Sequence, residues 1–357
     1  MDKDDQSAAI AVRVREAAAA HVPLMIIGGG SKRFLGRRVA GAPLAVGEHR
    51  GILHYVPEEL VLSARAGTPL AEIEAALAAR GQMLAFEPPS FGTTATLGGT
   101  IAANLSGPRR AYAGAARDFV LGCRIVNGRG EILHFGGEVM KNVAGYDLSR
   151  LMAGAFGTLG VLLEISLKVL PRPETETTLV FERDEAAAIE TMNRWAGRPL
   201  PLSATAWSDG RLYVRLSGPA PALAAVVAKL GGETLSGAEE FWCDLREHTG
   251  TFFADPRPLW RLALPSTAAP LALDGPAIVT WGGAQRWVKT GAPAAEIRAC
   301  AAAVAGHATL FRPPAGAPPA EDPFMPLTPA LQRLHQRLKA AFDPAGILNP
   351  GRLYAGF

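Results

Sequence analysis

Glycine is concentrated in residues 88–173, where glycine-rich turns alternate with short runs of β-branched residues. The runs at residues 120–126, 131–135 and 161–169 are typical of strands. Glycine inside a strand or helix costs about 0.5–1 kcal/mol relative to alanine, so this density of glycine needs a compensating reason. We expect that reason to be a large ligand that the backbone approaches closely, with phosphates held by backbone N–H groups.

The composition predicts a globular protein of two domains without a bound metal. A chain of 357 residues, 48% apolar and 19% charged, is long enough for two cores. The net charge of +3 is too small to indicate nucleic-acid binding. Three widely separated cysteines indicate neither a disulfide framework nor a zinc site. Because the sequence shows no signal peptide and no apolar run of about 18 residues, we expect a cytoplasmic chain without a transmembrane segment.

A second glycine cluster, at residues 28–30, follows a predicted strand at residues 24–27. Three glycines can adopt positive φ angles and expose consecutive N–H groups to an anion. Ser31 and Lys32 come next, and the lysine adds a positive charge. The pattern indicates an anion-binding turn, with a flexible turn as the alternative. The spacing is not G-x-G-x-x-G, which argues against a Rossmann fold.

After Pro173 the pattern changes to short strands alternating with helices. The order strand, helix, two strands, helix, strand predicts an antiparallel sheet covered by helices. Residues 203–235 and 277–310 share a strand that ends in tryptophan (Trp207 and Trp281), a glycine-containing turn and a helix that begins near proline. We interpret them as an internal duplication and expect one sheet built from two half-domains.

Five motifs in a fixed order carry a resemblance to a known family. They are GGGSK after a strand, LGGTIAANLSG, RDFVLGCRIVNGRGEIL, KNVAGYDLSRLMAGAFGTLGVLLEISLKVLPRP and the terminal FDPAGILNPGR. With them the chain resembles the FAD-linked oxidases of the vanillyl-alcohol-oxidase type, or PCMH type. The resemblance implies an α+β fold with a two-part FAD-binding domain at residues 1–173. An antiparallel-sheet-plus-helices cap domain is implied at residues 174–328, and a C-terminal segment, residues 329–357, returns to the FAD domain.

The resemblance also implies which residues hold the cofactor. A diphosphate needs N–H donors, and flat rings need close backbone approach, which glycine and alanine permit. The residues implied at the pyrophosphate are Gly28, Gly29, Gly30, Ser31 and Lys32. Those implied at the isoalloxazine and ribityl groups are Thr94, Leu97, Gly98, Gly99, Ala102, Asn104 and Gly107. Those implied near the cofactor are Arg117, Asp118 and Val120, and at its adenine end Gly157, Gly160 and Val161.

Two departures from the family pattern bear on the site. The family often has GSEGTLG where this chain has GAFGTLG at residues 154–160, so a serine and a glutamate are missing. No histidine lies beside the GGG turn, where several members attach FAD covalently. The resemblance therefore implies that FAD is bound non-covalently.

Within the family, the chain lacks the HxGDGNxH-like stretch of members that oxidise 2-hydroxy acids at a metal-assisted site. The stretches LWRLALP, WGGAQRW and HATLFRPP instead resemble the shorter FAD-binding subunits of glycolate oxidase complexes. This similarity implies oxidation of a small 2-hydroxy acid such as glycolate, with a catalytic flavoprotein subunit and an iron–sulfur subunit as partners. It implies a cytoplasmic complex that touches the inner membrane only peripherally. Two alternatives remain open: a non-catalytic subunit that FAD stabilises, and a self-sufficient FAD-dependent alcohol or hydroxy acid oxidase.

Catalytic residues do not stand out, and we consider two candidates. Arg261 could clamp a substrate carboxylate through its bidentate fork, with a structural arginine as the alternative. His248 could act as a base near the flavin. Four tryptophans could form a partner interface or pack in the core, namely Trp242, Trp260, Trp281 and Trp287.

Overall fold

Two sheet-containing regions and a returning C-terminal segment make up the fold. We call residues 4–173 the N-terminal region and residues 174–314 the cap region. The N-terminal region holds a small parallel layer and a five-stranded antiparallel sheet, and the cap region holds an eight-stranded antiparallel sheet. The computed structural model describes residues 4–137, 147–314, 316–317 and 322–357.

The small parallel layer comes first. Its elements are α1 (Ser7–Ala19), β1 (Leu24–Ile27) and β2 (Ala42–Ala45). The apolar face of α1 packs on the two strands, as its helical periodicity predicts, and the C-terminal segment adds a parallel bridge between Leu24 and Leu348. Gln6 occupies the N-cap position, and Asp5 accepts the N–H of Ser7.

The five-stranded sheet is the core of the N-terminal region. Its elements are β3 (Ile52–Val56), β4 (Val61–Arg65), α2 (Leu70–Ala78), β5 (Gln82–Met83), α3 (Leu97–Ala103), α4 (Arg110–Ala113), β6 (Val120–Val126), β7 (Ile132–Gly136), α5 (Leu148–Met152), β8 (Val161–Lys168) and β9 (Leu170–Pro171). The sheet order is β3-β4-β8-β6-β7, while β5 pairs with β9 alone. Residues of α2, α3 and α5 pack on this sheet in one apolar core.

The cap region is a single sheet with helices. Its elements are β10 (Thr175–Glu182), α6 (Glu185–Ala196), β11 (Leu202–Ser208), β12 (Arg211–Gly218), α7 (Ala220–Leu230), β13 (Glu233–Thr234), α8 (Ala238–Glu247), α9 (Thr251–Ala254), β14 (Leu259–Ala263), β15 (Ala277–Thr280), β16 (Gln285–Lys289), α10 (Ala294–Ala303) and β17 (His307–Arg312). The sheet order is β13-β10-β12-β11-β15-β16-β14-β17.

This order is the same on both sides of the central pair, β11 and β15. Going outward, one side has β12, β10 and β13, and the other has β16, β14 and β17. The matching orders support the two-half interpretation, while the domain boundaries remain a prediction. The halves differ in one respect, because α6 joins β10 to β11 whereas a loop without a helix, residues 264–276, joins β14 to β15.

The cap sheet buries both faces. One face is covered by α6, α7 and α10, and the other packs against the N-terminal region together with α8 and α9. Ion pairs of two buried arginines hold the two regions together: Arg109 lies 2.6 Å from Glu176, and Arg215 of the cap lies 2.8 Å from Glu87. Glu87 also lies 3.3 Å from Arg109. This network, which we call the docking network, fixes the cap sheet over the N-terminal region.

The C-terminal segment contacts the N-terminal region. Helix α11 (Pro329–Phe342) begins after Thr328, whose side chain accepts the N–H of Leu331. Near its end the Lys339 ammonium donates to the carbonyl oxygens of Thr158 and Leu348, at 2.8 and 2.6 Å.

Part of the fourth motif, residues 138–146, lies outside the described residues. Three of the four tryptophans considered for a partner interface, Trp242, Trp260 and Trp287, are buried in cores. The fourth, Trp281, is half-buried and donates its indole N–H to the carbonyl oxygen of Gly107.

Candidate functional site

A cavity of about 520 Å³ lies where the small parallel layer meets the five-stranded sheet and α3. Its walls are the turn after β1, the start of α3 and the segment from Phe156 into β8, and the C-terminal segment closes one side. Cofactor sites typically enclose about 300–1,000 Å³. The lining residues are 25–34, 38, 39, 46, 66, 96, 98, 99, 102, 103, 156, 157, 160, 162, 349 and 352. We call this the large cavity.

The turn after β1 runs too close to the start of α3 to carry side chains. A Cβ atom on Gly29 would lie 1.3 Å from the carbonyl oxygen of Thr94, and one on Gly28 would lie 2.7 Å from Thr96 Oγ1. Gly30 has a φ of +77°, which favours glycine. The geometry therefore requires these three glycines.

The same turn presents unpaired donors. The backbone N–H groups of residues 29–32 donate no hydrogen bond to the described part of the chain. Backbone donors are normally satisfied, so a row of free N–H groups at a cavity wall indicates a ligand that accepts from them. The oxygens of a diphosphate fit this requirement.

Lys32 adds a buried positive charge to the turn. Its ammonium donates to the Ser90 carbonyl oxygen at 3.2 Å and lies 3.3 Å from Ser31 Oγ. Burial lowers the pKa of Lys32 to about 8, although the nearby Glu247 carboxylate acts in the opposite direction. A bound anion would offset the desolvation of this ammonium.

The start of α3 forms a smooth wall of small residues. Thr96 caps the helix by accepting the N–H of Gly99 at 3.3 Å. A Cβ atom on Gly98 would lie 2.7 Å from the Ala66 methyl group, so glycine lets α3 pack tightly beside β4. With Ala102 also at the cavity, this wall has room for a flat ring system at close range.

The C-terminal segment supplies the opposite wall through Asn349 and Arg352. Asn349 Oδ1 accepts the N–H of Ile26 at 2.8 Å, and its Nδ2 donates to the Phe156 carbonyl oxygen at 2.7 Å. It thereby joins β1 to the segment before β8. Arg352 donates to the carbonyl oxygens of Leu35 and Arg37, and burial lowers its pKa to about 10.

The predicted cofactor residues divide into two groups. The structure brings ten of them to the large cavity, namely Gly28, Gly29, Gly30, Ser31, Lys32, Gly98, Gly99, Ala102, Gly157 and Gly160. The others do not line it. The carbonyl oxygen of Thr94 packs against Gly29, which does line the cavity. The side chain of Asn104 accepts the N–H of Arg117.

The remaining predicted residues lie elsewhere. Leu97, Val120 and Val161 are buried in apolar cores, and Arg117 and Asp118 are exposed. Gly107 lines a second, smaller cavity of about 30 Å³ between the N-terminal region and the cap. The two catalytic candidates, Arg261 and His248, also line this small cavity.

Fifteen of the 25 lining residues were not predicted as cofactor residues, among them Ala66, Thr96, Phe156, Asn349 and Arg352. Thr96 could have been found as an N-cap residue, because threonine is favoured at that position. Asn349 and Arg352 lie in the terminal NPGR stretch, which carried the family resemblance without an assigned role. Ala66 and Phe156 carry no local signal.

Comparison with known proteins agrees with this geometry. Family models match residues 5–136, as an FAD binding domain, and residues 325–353, as the C-terminal domain of FAD linked oxidases. The chain is 49% identical over 351 residues to glycolate oxidase subunit GlcE of Escherichia coli strain K12, covering 98% of each. It is 36% identical over 152 residues to glycolate oxidase subunit GlcD of Bacillus subtilis strain 168, 42% of this chain and 32% of that one.

The fold is also found among solved structures. A structure of alkyldihydroxyacetonephosphate synthase superposes with a TM-score of 0.66, at 15% identity, over 96% of this chain and 75% of that one. The predicted α+β fold with an FAD-binding region and an inserted cap is thus confirmed.

The chain belongs to the FAD-linked oxidases, and FAD is its cofactor. Within that family it is similar along its whole length to the glycolate oxidase subunit GlcE. The free N–H groups, the buried lysine and the small-residue wall fit a dinucleotide with a flat ring system. Among the described residues, none of the helices could span a membrane, and no group of three or more His, Cys, Asp or Glu side chains could hold a metal ion.

Proposed function

We propose that this chain is the FAD-binding subunit of a complex that oxidises glycolate, or a similar small 2-hydroxy acid, to the 2-oxo acid. The observation that carries the proposal is the large cavity, with its free N–H groups and buried lysine, in a chain similar to GlcE over 98% of both lengths. The N–H groups of residues 29–32 and the Lys32 ammonium bind the diphosphate of FAD. The wall formed by Gly98, Gly99 and Ala102 permits close approach of its rings.

Bound FAD supplies a two-electron acceptor for the oxidation of a CH–OH group. The protein positions the cofactor and excludes water around it. We propose that FAD is not covalently attached, since the described residues that line the large cavity include no histidine, cysteine or tyrosine. Intact flavin that stays with acid-precipitated protein would contradict this assignment.

Electrons leaving this subunit need another carrier. The three cysteines are unpaired and lie apart: Cys123 is buried in the N-terminal region, Cys243 is exposed on α8 and Cys300 is half-buried on α10. Iron–sulfur clusters of the common types need about four cysteine ligands. We propose a catalytic flavoprotein subunit and an iron–sulfur subunit as partners, and the complex as the place of turnover.

The test is anaerobic mixing of the FAD-loaded chain with glycolate or D-lactate while the flavin absorbance is followed. We expect turnover of glycolate only when both partner subunits are present. Bleaching of the flavin in the isolated chain, with steady turnover in the absence of partners, would support a self-sufficient oxidase. Full turnover by a complex whose copy of this chain lacks FAD would support a non-catalytic subunit. A purified chain that binds no FAD would overturn the proposal.

A further inference from the structure

The small cavity lies between the cap sheet and the N-terminal region and carries an unusual set of side chains. Arg261 on β14 and Trp287 on β16 face each other in register, and Phe311 on β17 and His248 after α8 complete the cap side. Residues 105–108, directly after α3, form the opposite side. The small cavity therefore begins where the wall of the large cavity ends.

The positive charge of Arg261 in this small cavity has no anion among the described residues to balance it, unlike that of Arg246, which pairs with Glu247. Within the described chain Arg261 forms no hydrogen bond and no ion pair, and its guanidinium is 5.7 Å from the centre of the Phe311 ring. Two more arginines are near: Arg312 lies over Phe91 and Phe34, and Arg110 lies over Trp281. Neither has an ion pair within the described residues.

The groups around Arg261 do not compensate its charge. Burial lowers its pKa to about 10, and Arg110 acts in the same direction. His248 is held neutral, because burial and the charges of Arg312, Lys289 and Arg261 lower its pKa well below the usual value. Its Nδ1 atom is buried and has no hydrogen-bond partner among the described residues. A buried, unpaired guanidinium is costly unless a ligand supplies the negative charge.

We propose that Arg261 binds the carboxylate of a small 2-hydroxy acid in the small cavity, an assignment that rests on the function proposed above. The planar fork of arginine matches a carboxylate through two parallel hydrogen bonds. A cavity of about 30 Å³ has room for about two or three water-sized groups, which matches the carboxylate end of such an acid. Trp287, Phe311 and the stacked pair of His248 and Phe253 leave no room for a large side chain.

The position of the cavity is consistent with this role. Phe34, which lines the large cavity, lies 5.5 Å from Phe91 and 5.5 Å from Phe311 between ring centres, and both of those rings line the small cavity. One aromatic side chain thus separates the two spaces. A small acid held by Arg261 would lie beside the cofactor cavity rather than at a remote surface.

The test measures the affinity of the FAD-loaded chain for glycolate by calorimetry, in wild type, Arg261→Met and Arg261→Lys. Loss of the charged fork should weaken binding about 10- to 100-fold in Arg261→Met. Arg261→Lys keeps the charge but loses the fork, so its affinity for glycolate should lie between those of wild type and Arg261→Met. Hydroxy acids with a bulky substituent, such as mandelate, should bind more weakly than glycolate to the wild type.

The matched control is Arg286→Met. Arg286 is a buried arginine on the adjacent strand that pairs with Leu262 and therefore points to the opposite face of the sheet from Arg261. The Arg286→Met substitution should leave the affinity for glycolate unchanged. FAD content and melting temperature establish that each variant is folded. If Arg261→Met does not fold, Arg261→Lys replaces it in the comparison with wild type.

Three results would overturn the assignment. The first is that the wild-type protein does not bind glycolate. The second is that wild type and Arg261→Met bind glycolate with equal affinity. The third is that Arg261→Met changes only the reduction potential of the flavin. The last would mean that Arg261 faces the flavin itself. The proposed function is judged separately: a complex carrying Arg261→Met with unchanged glycolate turnover contradicts only this inference. A wild-type complex that binds glycolate without oxidising it contradicts only the function.

Discussion

The two cavities of this protein are built by different means. The large cavity is made of backbone: glycines at residues 28–30, the small residues of α3 and a row of free N–H groups. The small cavity is made of long side chains, in particular Arg261, Trp287 and Phe311, from three strands of the cap sheet. A backbone site tolerates almost no added atoms, whereas a side-chain site depends on charge and on how two regions dock. Substitutions should therefore affect the two cavities differently.

The largest effect is expected for Gly29→Ala. The added methyl group would lie 1.3 Å from the Thr94 carbonyl oxygen, so the turn after β1 must move away from α3. We expect FAD binding to weaken at least about tenfold, because the N–H groups lose their positions. FAD per protein after gel filtration measures this. Gly291→Ala is the control, since a methyl group there meets no atom within 4 Å. Normal FAD content in Gly29→Ala would mean that the turn is not a rigid wall.

The second prediction concerns a change in the docking network, which should affect the small cavity and not the large one. Glu87→Ala removes one of the two carboxylates that Arg109 and Arg215 share and leaves these buried arginines only Glu176, whose side chain is 36% exposed. Removing one partner of a buried ion pair typically costs about 3–5 kcal/mol. We expect a lower melting temperature and weaker glycolate binding at the small cavity, with FAD affinity nearly unchanged.

Glu58→Ala is the matched control for the docking network. Glu58 and Arg80 form an exposed pair, and such pairs contribute about 0–1 kcal/mol. If Glu87→Ala lowered FAD affinity as much as it lowered glycolate affinity, the two cavities would not be independent.

The contrast between the cavities also explains what could be predicted. The glycines within residues 28–30 are consecutive in the sequence, as are those at 98–99, so local pattern and family motif together located ten of the 25 lining residues of the large cavity. Asn349 comes from the far end of the chain, and its contact with Ile26 spans 323 positions. Local reasoning has no access to such a contact. The terminal motif marked the residue but not its role.

Arg261 and His248 show the limit more clearly. Both were considered from residue type alone, and neither carries a local signal that distinguishes a binding arginine from a structural one. The strand register places Arg261 on the face that meets the N-terminal region, and that register depends on pairing with β16 and β17. The alternation of strands and helices after Pro173 could be predicted from periodicity and turn residues. The face of the sheet that would be covered, and by what, could not.

A smaller effect is expected for Asn349→Ala. The backbone N–H of Ile26 and the carbonyl oxygen of Phe156 would both lose a partner in a largely buried place. An unsatisfied buried group costs about 1–3 kcal/mol, so we expect the free energy of unfolding to fall by about 2 kcal/mol, measured by urea denaturation. Asn349→Asp keeps the acceptor for Ile26 but places a carboxylate oxygen against the Phe156 carbonyl oxygen, so it should lose at least as much. A smaller loss in Asn349→Asp than in Asn349→Ala would contradict the role assigned to Nδ2.

The smallest effect is the pH dependence of FAD binding through Lys32. In the free protein its pKa is about 8, below the ordinary value because of burial. A diphosphate favours the charged ammonium, so the pKa is higher in the complex. FAD affinity should be level below about pH 8 and then fall with rising pH, by at most about tenfold per unit, since one proton is involved. Lys32→Met should bind FAD more weakly below about pH 8, and its FAD affinity should not fall at higher pH.

The stability of the free protein should change with pH in the opposite sense. Its Lys32 binds fewer protons than the unfolded chain between about pH 8 and 10.5, so stability rises with pH there. Titrations of FAD into the apoprotein from pH 6.5 to 9.5 would measure the first effect, and an equal fall in wild type and Lys32→Met would place the titrating group elsewhere.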